Sequence, residues 1–309
     1  MSTPANSVSE SAVASQATAM AKPVNSLYWS VRRELWEYRS IYLAPLAVAG
    51  IYLLGFLLYL HKLPNAVRAA MELFAAEQRQ ALLQPYDYAA AAVMGVAFLV
   101  GMLYCLDALH GERRDRSILF WKSLPVSDLT TVLAKASIPL VVLPVVSYAI
   151  TVVLQAIMLL LGTLVLAASG LSPAILWNQV ALFQSSFLLL YHLFTVHVLW
   201  YAPIYAYFLL ISAWARRTPL LWAILPPVAI AIFEHVVSHT SYFGHFIGNR
   251  FSGGPEMDTT GMTGGMPFHP GVHLTPGHFL LAPGLWIGLL FAAAFLAAAA
   301  RIRRYREPD

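Results

Sequence analysis

The stretch YAAAAVMGVAFLVGMLYCLDA, residues 88–108, decides the class of fold. Asp107 is its only charged residue, and a helix needs roughly 20 apolar residues to cross a bilayer, so the stretch predicts a transmembrane helix. The whole chain agrees, because 59% of its 309 residues are hydrophobic and 11% are charged, against about 25% charged in a soluble domain. We therefore predict an all-α integral membrane protein.

Six stretches are long and apolar enough to span a membrane, at 41–60, 88–108, 137–167, 188–212, 219–237 and 279–300. Together they predict one six-span domain over residues 27–306. Residues 1–26, rich in Ser, Ala and Thr, predict a disordered cytoplasmic tail. The uncharged segment at 170–187 is compatible with an interfacial helix, and the sequence does not fix its boundary with the fourth span.

Most basic residues fall on one side of this arrangement. Of the 19 Lys and Arg residues, 15 lie at 22–39, 109–136, 216–217 and 301–306. Cytoplasmic loops carry the excess of Lys and Arg in membrane proteins. We therefore predict that both termini and the 109–136 loop are cytoplasmic, and that 238–278 is an outer loop.

The segment before the first span, NSLYWSVRRELWEYRSIY (25–42), has the period of an amphipathic helix. Apolar residues recur at spacings of three and four, namely Tyr28, Val31, Leu35, Tyr38 and Tyr42. A second set is charged and clusters elsewhere, namely Arg32, Arg33, Glu34, Glu37 and Arg39. The pattern predicts a helix that lies in the membrane interface on its apolar face, with a plain extension of the first span as the alternative.

Motifs for several kinds of chemistry are absent from the sequence. It has no phosphate loop of the type that hydrolyses ATP, no His-Glu-x-x-His and no Gly-x-Ser-x-Gly. Its single cysteine, Cys105, lies in an apolar run, where a free cysteine usually packs as a small hydrophobic side chain. His192 and His197 are five residues apart, which would place them on different faces of an α-helix. We expect no catalytic residues and no bound cofactor.

Two features of the outer side stay open at this stage. Glu234, near the outer end of the fifth span, would either face a polar translocation path or reach water at the headgroups. The loop at 238–278 carries histidines and methionines, which invites a copper or zinc hypothesis. Their spacing matches no compact site, so we expect no metal centre.

The loop at 109–136 differs from the apolar runs on either side of it. It reads GERRDRSILFWKSLPVSD over 111–128. Residues 117–123 predict a short helix that ends before Pro125, and Ser127 with Asp128 predict the start of the next helix. Lys122 and the arginines should keep the segment in water, which leaves its aromatic residues for a partner to cover.

The ordered combination of these features resembles the permease subunit of type-2 ABC transporters. The resemblance covers about residues 25–306 and lies in the interfacial helix, the six spans, the long last outer loop and above all GERRDRSILFWKSLPVSDLTTVLAK (111–135). It implies that a separate ATP-hydrolysing subunit, which carries ATP and magnesium, docks on the 111–124 helix. The docking residues would be Glu112, Arg113, Arg114, Asp115, Arg116, Ile118, Leu119, Phe120, Trp121 and Leu124.

The same resemblance sets the remaining expectations. The chain would pair with a second permease copy, most simply as a homodimer, and would act as an exporter. It would lie in the bacterial cytoplasmic (inner) membrane and would have no nucleic acid as a partner. Substrate would pass between the second and fifth spans, along Phe98, Met102, Ile230 and Glu234. Two other functions compete with this one: a membrane anchor or sensor that recruits a cytoplasmic partner without transport, and an intramembrane enzyme.

Overall fold

The computed structural model describes residues 26–115, 117, 126–180, 182–251 and 276–305, and every regular element within them is helical. The tail at 1–25 lies outside the described residues, as do the docking residues Arg116, Ile118, Leu119, Phe120, Trp121 and Leu124. The α-helices of the described part are α1 (Ser26–Glu37), α2 (Ser40–Tyr59), α3 (Leu63–Met71), α4 (Ala75–Ala108), α5 (His110–Arg114), α6 (Asp128–Ser137), α7 (Leu143–Ala168), α8 (Ala174–Val180), α9 (Leu182–His192), α10 (Ala202–Trp214), α11 (Pro219–Ser238), α12 (Tyr242–Phe251), α13 (Pro276–Leu281) and α14 (Pro283–Tyr305).

Five stretches of helix are each long and apolar enough to cross a membrane within the described residues: 40–59, 77–114, 128–168, 219–238 and 283–305. A sixth arises if 186–200 and 202–214, which meet at 44°, form one bent span. The all-helical architecture of the prediction is thus confirmed in the described residues, with five helices long enough to span a membrane, or six if the bent pair counts as one. Their ends differ, because α4 begins at Ala75, well before residue 88, and α14 ends at Tyr305 rather than at 300.

The early start of α4 follows from its packing. At about 1.5 Å per residue, its 34 residues extend well beyond the roughly 30 Å of a bilayer core. The additional turns bury Leu82 and Tyr86 against α3, α7 and α8, in a cluster that includes Val67, Leu159 and Leu176. This cluster stabilises one end of the bundle.

The third span is one continuous helical run whose phase changes at Pro139. Ser127 accepts a hydrogen bond from the Thr130 N–H at 3.0 Å, which confirms it as the N-cap of α6. A π-helical segment, Ile138–Val142, then joins α6 to α7. Because proline has no N–H to donate, the i→i+4 ladder is interrupted at this point, and a π-turn accommodates the interruption.

The fourth span contains a second π-helical segment, Leu193–Trp200, before it bends at Tyr201. Because of this segment, the expectation that His192 and His197 lie on different faces of the helix is wrong. Hydrogen bonding from i to i+5 places residues five apart on successive turns, and the two imidazole centroids lie 6.4 Å apart, both rings buried. The fifth span, by contrast, runs through Pro226 and Pro227 as one helix, α11.

The stretch predicted as an outer loop is partly helical. Of the stretch 238–278, α12 and the start of α13 are described, and residues 252–275 lie outside the description. Arg250 on α12 reaches the bundle, where its guanidinium carbon stands 4.1 Å from the Trp200 ring centroid and its Nη2 donates to the Gly284 carbonyl at 3.2 Å. Burial lowers the pKa of Arg250 to about 10. These contacts fasten α12 to Trp200 of the fourth apolar segment and to the start of α14.

Candidate functional site

Four helices that are far apart in the sequence meet in an ionic cluster at one end of the bundle. The cluster comprises Arg33 and Glu34 on α1, Glu112 on α5, Asp128 and Lys135 on α6, and Arg303 near the end of α14. Three of these side chains are positive and three are negative. The side chains of Glu34, Glu112, Lys135 and Arg303 are each at most 4% exposed.

Lys135 joins the two buried glutamates. Its Nζ lies 2.9 Å from Glu34 Oε1 and 3.1 Å from Glu112 Oε1. Arg33 Nη2 lies 3.1 Å from the same Glu112 oxygen and also contacts Glu34. The Tyr104 hydroxyl donates to Glu34 Oε2 at 2.7 Å. Buried charges persist when they are paired and hydrogen-bonded in this way.

The charge state of Glu34 follows from these contacts. Burial alone would raise the pKa of this carboxyl, but the charges of Lys135 and Arg33, with the hydrogen bonds from Lys135 and Tyr104, hold the pKa below its ordinary value of 4.5. Glu34 is therefore ionised at neutral pH and acts as a fixed negative partner for Lys135.

Arg303 connects both ends of the segment that links α5 to α6. Its Nη2 lies 3.1 Å from Glu112 Oε2, before the segment, and its Nη1 lies 2.6 Å from Asp128 Oδ1, after it. A guanidinium presents its donors in a planar fork, so one side chain holds two carboxylates on different helices. The linking segment is thereby fixed at both ends to α14.

A second set of hydrogen bonds fixes the same region to α10. Arg113 Nη2 donates to the carbonyls of Ser212 and Ala215, the latter at 2.8 Å. The Ser212 hydroxyl accepts from the Leu109 and His110 N–H groups at 3.0 and 2.9 Å. The start of the loop is thus bound on one side to α10 and on the other to the ionic cluster.

These contacts correct the expectation that the charged opening of the loop lies in water. Glu112 and Arg113 are buried, so neither is available as a docking surface. Arg114 and Asp115 are exposed and pair with each other at 3.1 Å. Of the ten docking residues, only these two are described and accessible.

The apolar set predicted for α1 divides between two surroundings. Tyr28 and Tyr42 are exposed, whereas Val31, Leu35 and Tyr38 are partly buried against the protein core. Glu34 lies on the same side, since it is three residues from Val31 and four from Tyr38. The exposed side carries Trp29 and Trp36, with the guanidinium of Arg32 about 5 Å from each ring centroid.

The four residues of the predicted translocation path do not share one environment. Phe98 is buried among rings, with Tyr201 4.6 Å away between centroids, and Met102 is half-buried against the same core. Ile230 is on the exposed surface of α11. Glu234 accepts hydrogen bonds from the N–H groups of Tyr242 and Phe243, each at 2.8 Å, and so caps the start of α12.

In the sequence, Arg33, Lys135 and Arg303 indicated only which side of the membrane their segments occupy, and the cluster was not predicted. One signal was present, namely a glutamate at position 34 within the apolar period of α1. No group of three or more His, Cys, Asp or Glu side chains in the described part is placed to hold a metal ion. No protein-family model, curated protein or solved structure matches the chain.

Proposed function

We propose that this chain is the membrane-spanning subunit of a type-2 ABC transporter, an exporter of the bacterial inner membrane. It has six spans with both termini in the cytoplasm, and it pairs with a second permease copy. A separate ATPase subunit, which binds ATP and magnesium, docks on the cytoplasmic segment between α5 and α6. The chain itself performs no catalysis.

The observation that carries this proposal is the attachment of the docking segment. Glu112 and Asp128 flank it, and both bind Arg303. Glu112 also pairs with Lys135 and Arg33. A displacement of the segment by a partner would therefore act directly on α1, α4, α6 and α14, and through them on the apolar spans. A transporter must transmit force in this way, whereas a membrane anchor or sensor without transport has no need of it.

The docking surface itself is the aromatic stretch Phe120–Trp121. Burial of a Phe-sized side chain contributes roughly 1.5–3 kcal/mol, and interface hot spots are enriched in aromatic residues. Phe120→Ala combined with Trp121→Ala should weaken association with the ATPase subunit at least about tenfold, since 1.4 kcal/mol corresponds to a factor of ten. The measurement is recovery of the ATPase subunit with the tagged chain at matched membrane expression.

Two controls make this experiment decisive. Tyr242→Ala with Phe246→Ala removes two exposed aromatic side chains of α12, at the opposite end of the bundle, and should leave recovery unchanged. The purified chain alone should hydrolyse no ATP above background, because it has no phosphate loop. Equal recovery with both double variants would mean that the aromatic residues only anchor the loop in headgroups, and turnover by the isolated chain would exclude the permease assignment.

A further inference from the structure

An open cavity lies at the turn between α10 and α11, at the same end of the bundle as the ionic cluster. Its volume is about 680 Å³, and its lining consists of Trp214, Ala215, Arg216, Arg217 and Trp222. Among these described lining residues two are arginines and none is acidic. Pockets for small ligands occupy roughly 300–1,000 Å³, so the cavity has the volume of a small-ligand site.

The walls of the cavity are aromatic. The rings of Trp214 and Trp222 meet edge to face, with centroids 4.9 Å apart and an interplanar angle of 86°. Both side chains remain nearly half exposed. Tryptophan favours the boundary between headgroups and acyl chains, because its ring is apolar and its N–H is polar. The pair therefore suits a ligand that is polar at one end and apolar at the other.

The surface next to the cavity is apolar and continues along α11. Leu220, Leu221, Ile224 and Leu225 are each more than half exposed, and Ala223 is the one buried residue of this helix. A chain of hydrocarbon can therefore lie along α11 while the head of the same molecule occupies the cavity. A free phosphate or a soluble anion would make no use of this surface.

The backbone just before the two arginines is held by hydrogen bonds. Ala215, which lines the cavity, accepts through its carbonyl from the buried Arg113 at 2.8 Å and from the His110 ring at 3.2 Å. The turn that carries Arg216 and Arg217 is thus held against α5 and not left free. Both arginine side chains are exposed, and both line the cavity.

We propose that this cavity binds an anionic phospholipid, whose phosphodiester is held by Arg216 and Arg217, whose glycerol region lies against the two tryptophans, and whose acyl chains lie along α11. The site rests on α11 as a membrane-spanning helix but not on the ATPase partner. It adds a lipid contact directly behind the loop that Arg113 fastens to α10, so lipid composition would bear on the position of that loop.

The test is native mass spectrometry of the purified full-length chain, titrated with phosphatidylglycerol and, separately, with phosphatidylcholine of the same acyl chains. The unaltered chain should bind phosphatidylglycerol more tightly. Arg216→Gln with Arg217→Gln should weaken the first binding event at least about tenfold, because each basic residue near the bilayer surface contributes to the attraction of anionic lipid. Trp222→Leu should weaken it as well without any change of charge.

The matched control is Arg301→Gln with Arg304→Gln, which removes the same charge from two exposed arginines of α14 at the same end of the bundle. This variant should bind phosphatidylglycerol as the unaltered chain does. Equal weakening in both pairs would mean diffuse attraction and no site. Absence of a preference over phosphatidylcholine, or displacement of the lipid by glycerol 3-phosphate at comparable concentration, would also overturn the proposal. No outcome depends on an ATPase subunit, so this result is separate from that of the proposed function.

Discussion

Lys135 is the residue on which the ionic cluster most depends. Like Arg33 it contacts both buried glutamates, at 2.9 and 3.1 Å, but its side chain is only 1% exposed, against 22% for Arg33. Removal of one partner from a buried ion pair strands the other charge, at a cost of roughly 3–5 kcal/mol. Lys135→Met should therefore lower the free energy of unfolding by about that amount, measured as a large drop in thermal midpoint.

Two comparisons test the cause of this loss. Arg114→Met alters a side chain that is 61% exposed, so its effect on the thermal midpoint should be small. Lys135→Met combined with Glu34→Gln neutralises part of the stranded charge and should recover some of the lost stability. If the double variant is no more stable than Lys135→Met, packing of the lysine stem and not charge would explain the loss.

Glu34 predicts a pH dependence of a definite sign. Its pKa in the fold lies below the ordinary value of 4.5, so its ionised form stabilises the folded state. This contribution is complete above about pH 4.5 and is lost as the pH falls through the lowered value. The stability difference between the unaltered chain and Glu34→Gln should therefore be largest near pH 7 and shrink below pH 4.5.

The measurement is thermal unfolding of both proteins between pH 7 and pH 3. Lys135, Arg33, Glu112 and Tyr104 face Glu34 from α1, α4, α5 and α6, and they are the same in both proteins. Glu72→Gln, on an exposed residue after α3, is the control and should give a small difference at every pH. A constant difference for Glu34→Gln down to pH 3 would contradict the prediction.

At the scale of the helix, the contact of α12 with α14 depends on a glycine. A Cβ added at Gly288 would overlap the Arg250 guanidinium and would stand 3.1 Å from Pro203. Gly288→Ala should therefore displace Arg250 and destabilise the protein by about 1–3 kcal/mol. Gly55→Ala is the matched control, because nothing lies within 4 Å of its Cβ and the same change in an open helix stabilises by roughly 0.5–1 kcal/mol.

A double variant separates this contact from other effects at the site. In an Arg250→Ala background the guanidinium is gone, so the penalty for Gly288→Ala should fall, which a double-mutant cycle measures directly. A penalty that stays the same in both backgrounds would mean that Pro203, and not Arg250, limits the space at Gly288.

The sequence predicted the helices better than it predicted their faces. Apolar runs of about 20 residues fix the existence of the spans, since the bilayer sets their length, and Ser127 fixes the start of α6 through a local hydrogen bond. The π-helical segment at Leu193–Trp200 has no such local signature, so the proximity of His192 and His197 was not predictable from spacing. Tyr104 and Lys135, which bind Glu34, lie 70 and 101 residues away from it in the chain, a pairing that periodicity does not contain.

The candidate site was likewise predicted only in part. Its aromatic docking stretch was read from composition and lies outside the described residues, so that prediction stays open. Its charges were assigned to water because charged side chains are seldom buried unless they are paired. Glu112, Lys135 and Arg303 are the exception, and only a tertiary structure brings three such residues from 112, 135 and 303 together.

Across the whole molecule, α14 defines two opposite ends. Gly284 at its start contacts Arg250 of α12, and Arg303 near its end contacts Glu112 and Asp128. The 23 residues of α14 extend about 34 Å at 1.5 Å per residue, which is close to the thickness of a bilayer core. The helix α1, the α5–α6 connection and the C-terminal end of α14 therefore share one end, and α12 occupies the other.

This arrangement requires an even number of crossings between α1 and the end of α14, and it predicts a labelling pattern for intact cells. Single cysteines in a Cys105→Ala background report the side, and Cys105 itself is buried. Trp36→Cys and Arg304→Cys, both at exposed positions, should resist a membrane-impermeant thiol reagent until the membrane is opened, because the excess of basic residues marks this end as cytoplasmic. Tyr242→Cys, on the exposed surface of α12, should react at once.

Two outcomes would contradict this prediction. Labelling of Trp36→Cys and Arg304→Cys on opposite sides would be incompatible with the ionic cluster, since Arg303 and Arg33 could not then reach Glu112 together. Labelling of both from outside, with Tyr242→Cys protected, would leave the cluster intact and reverse the orientation, which would place the docking segment where no cytoplasmic ATPase could reach it.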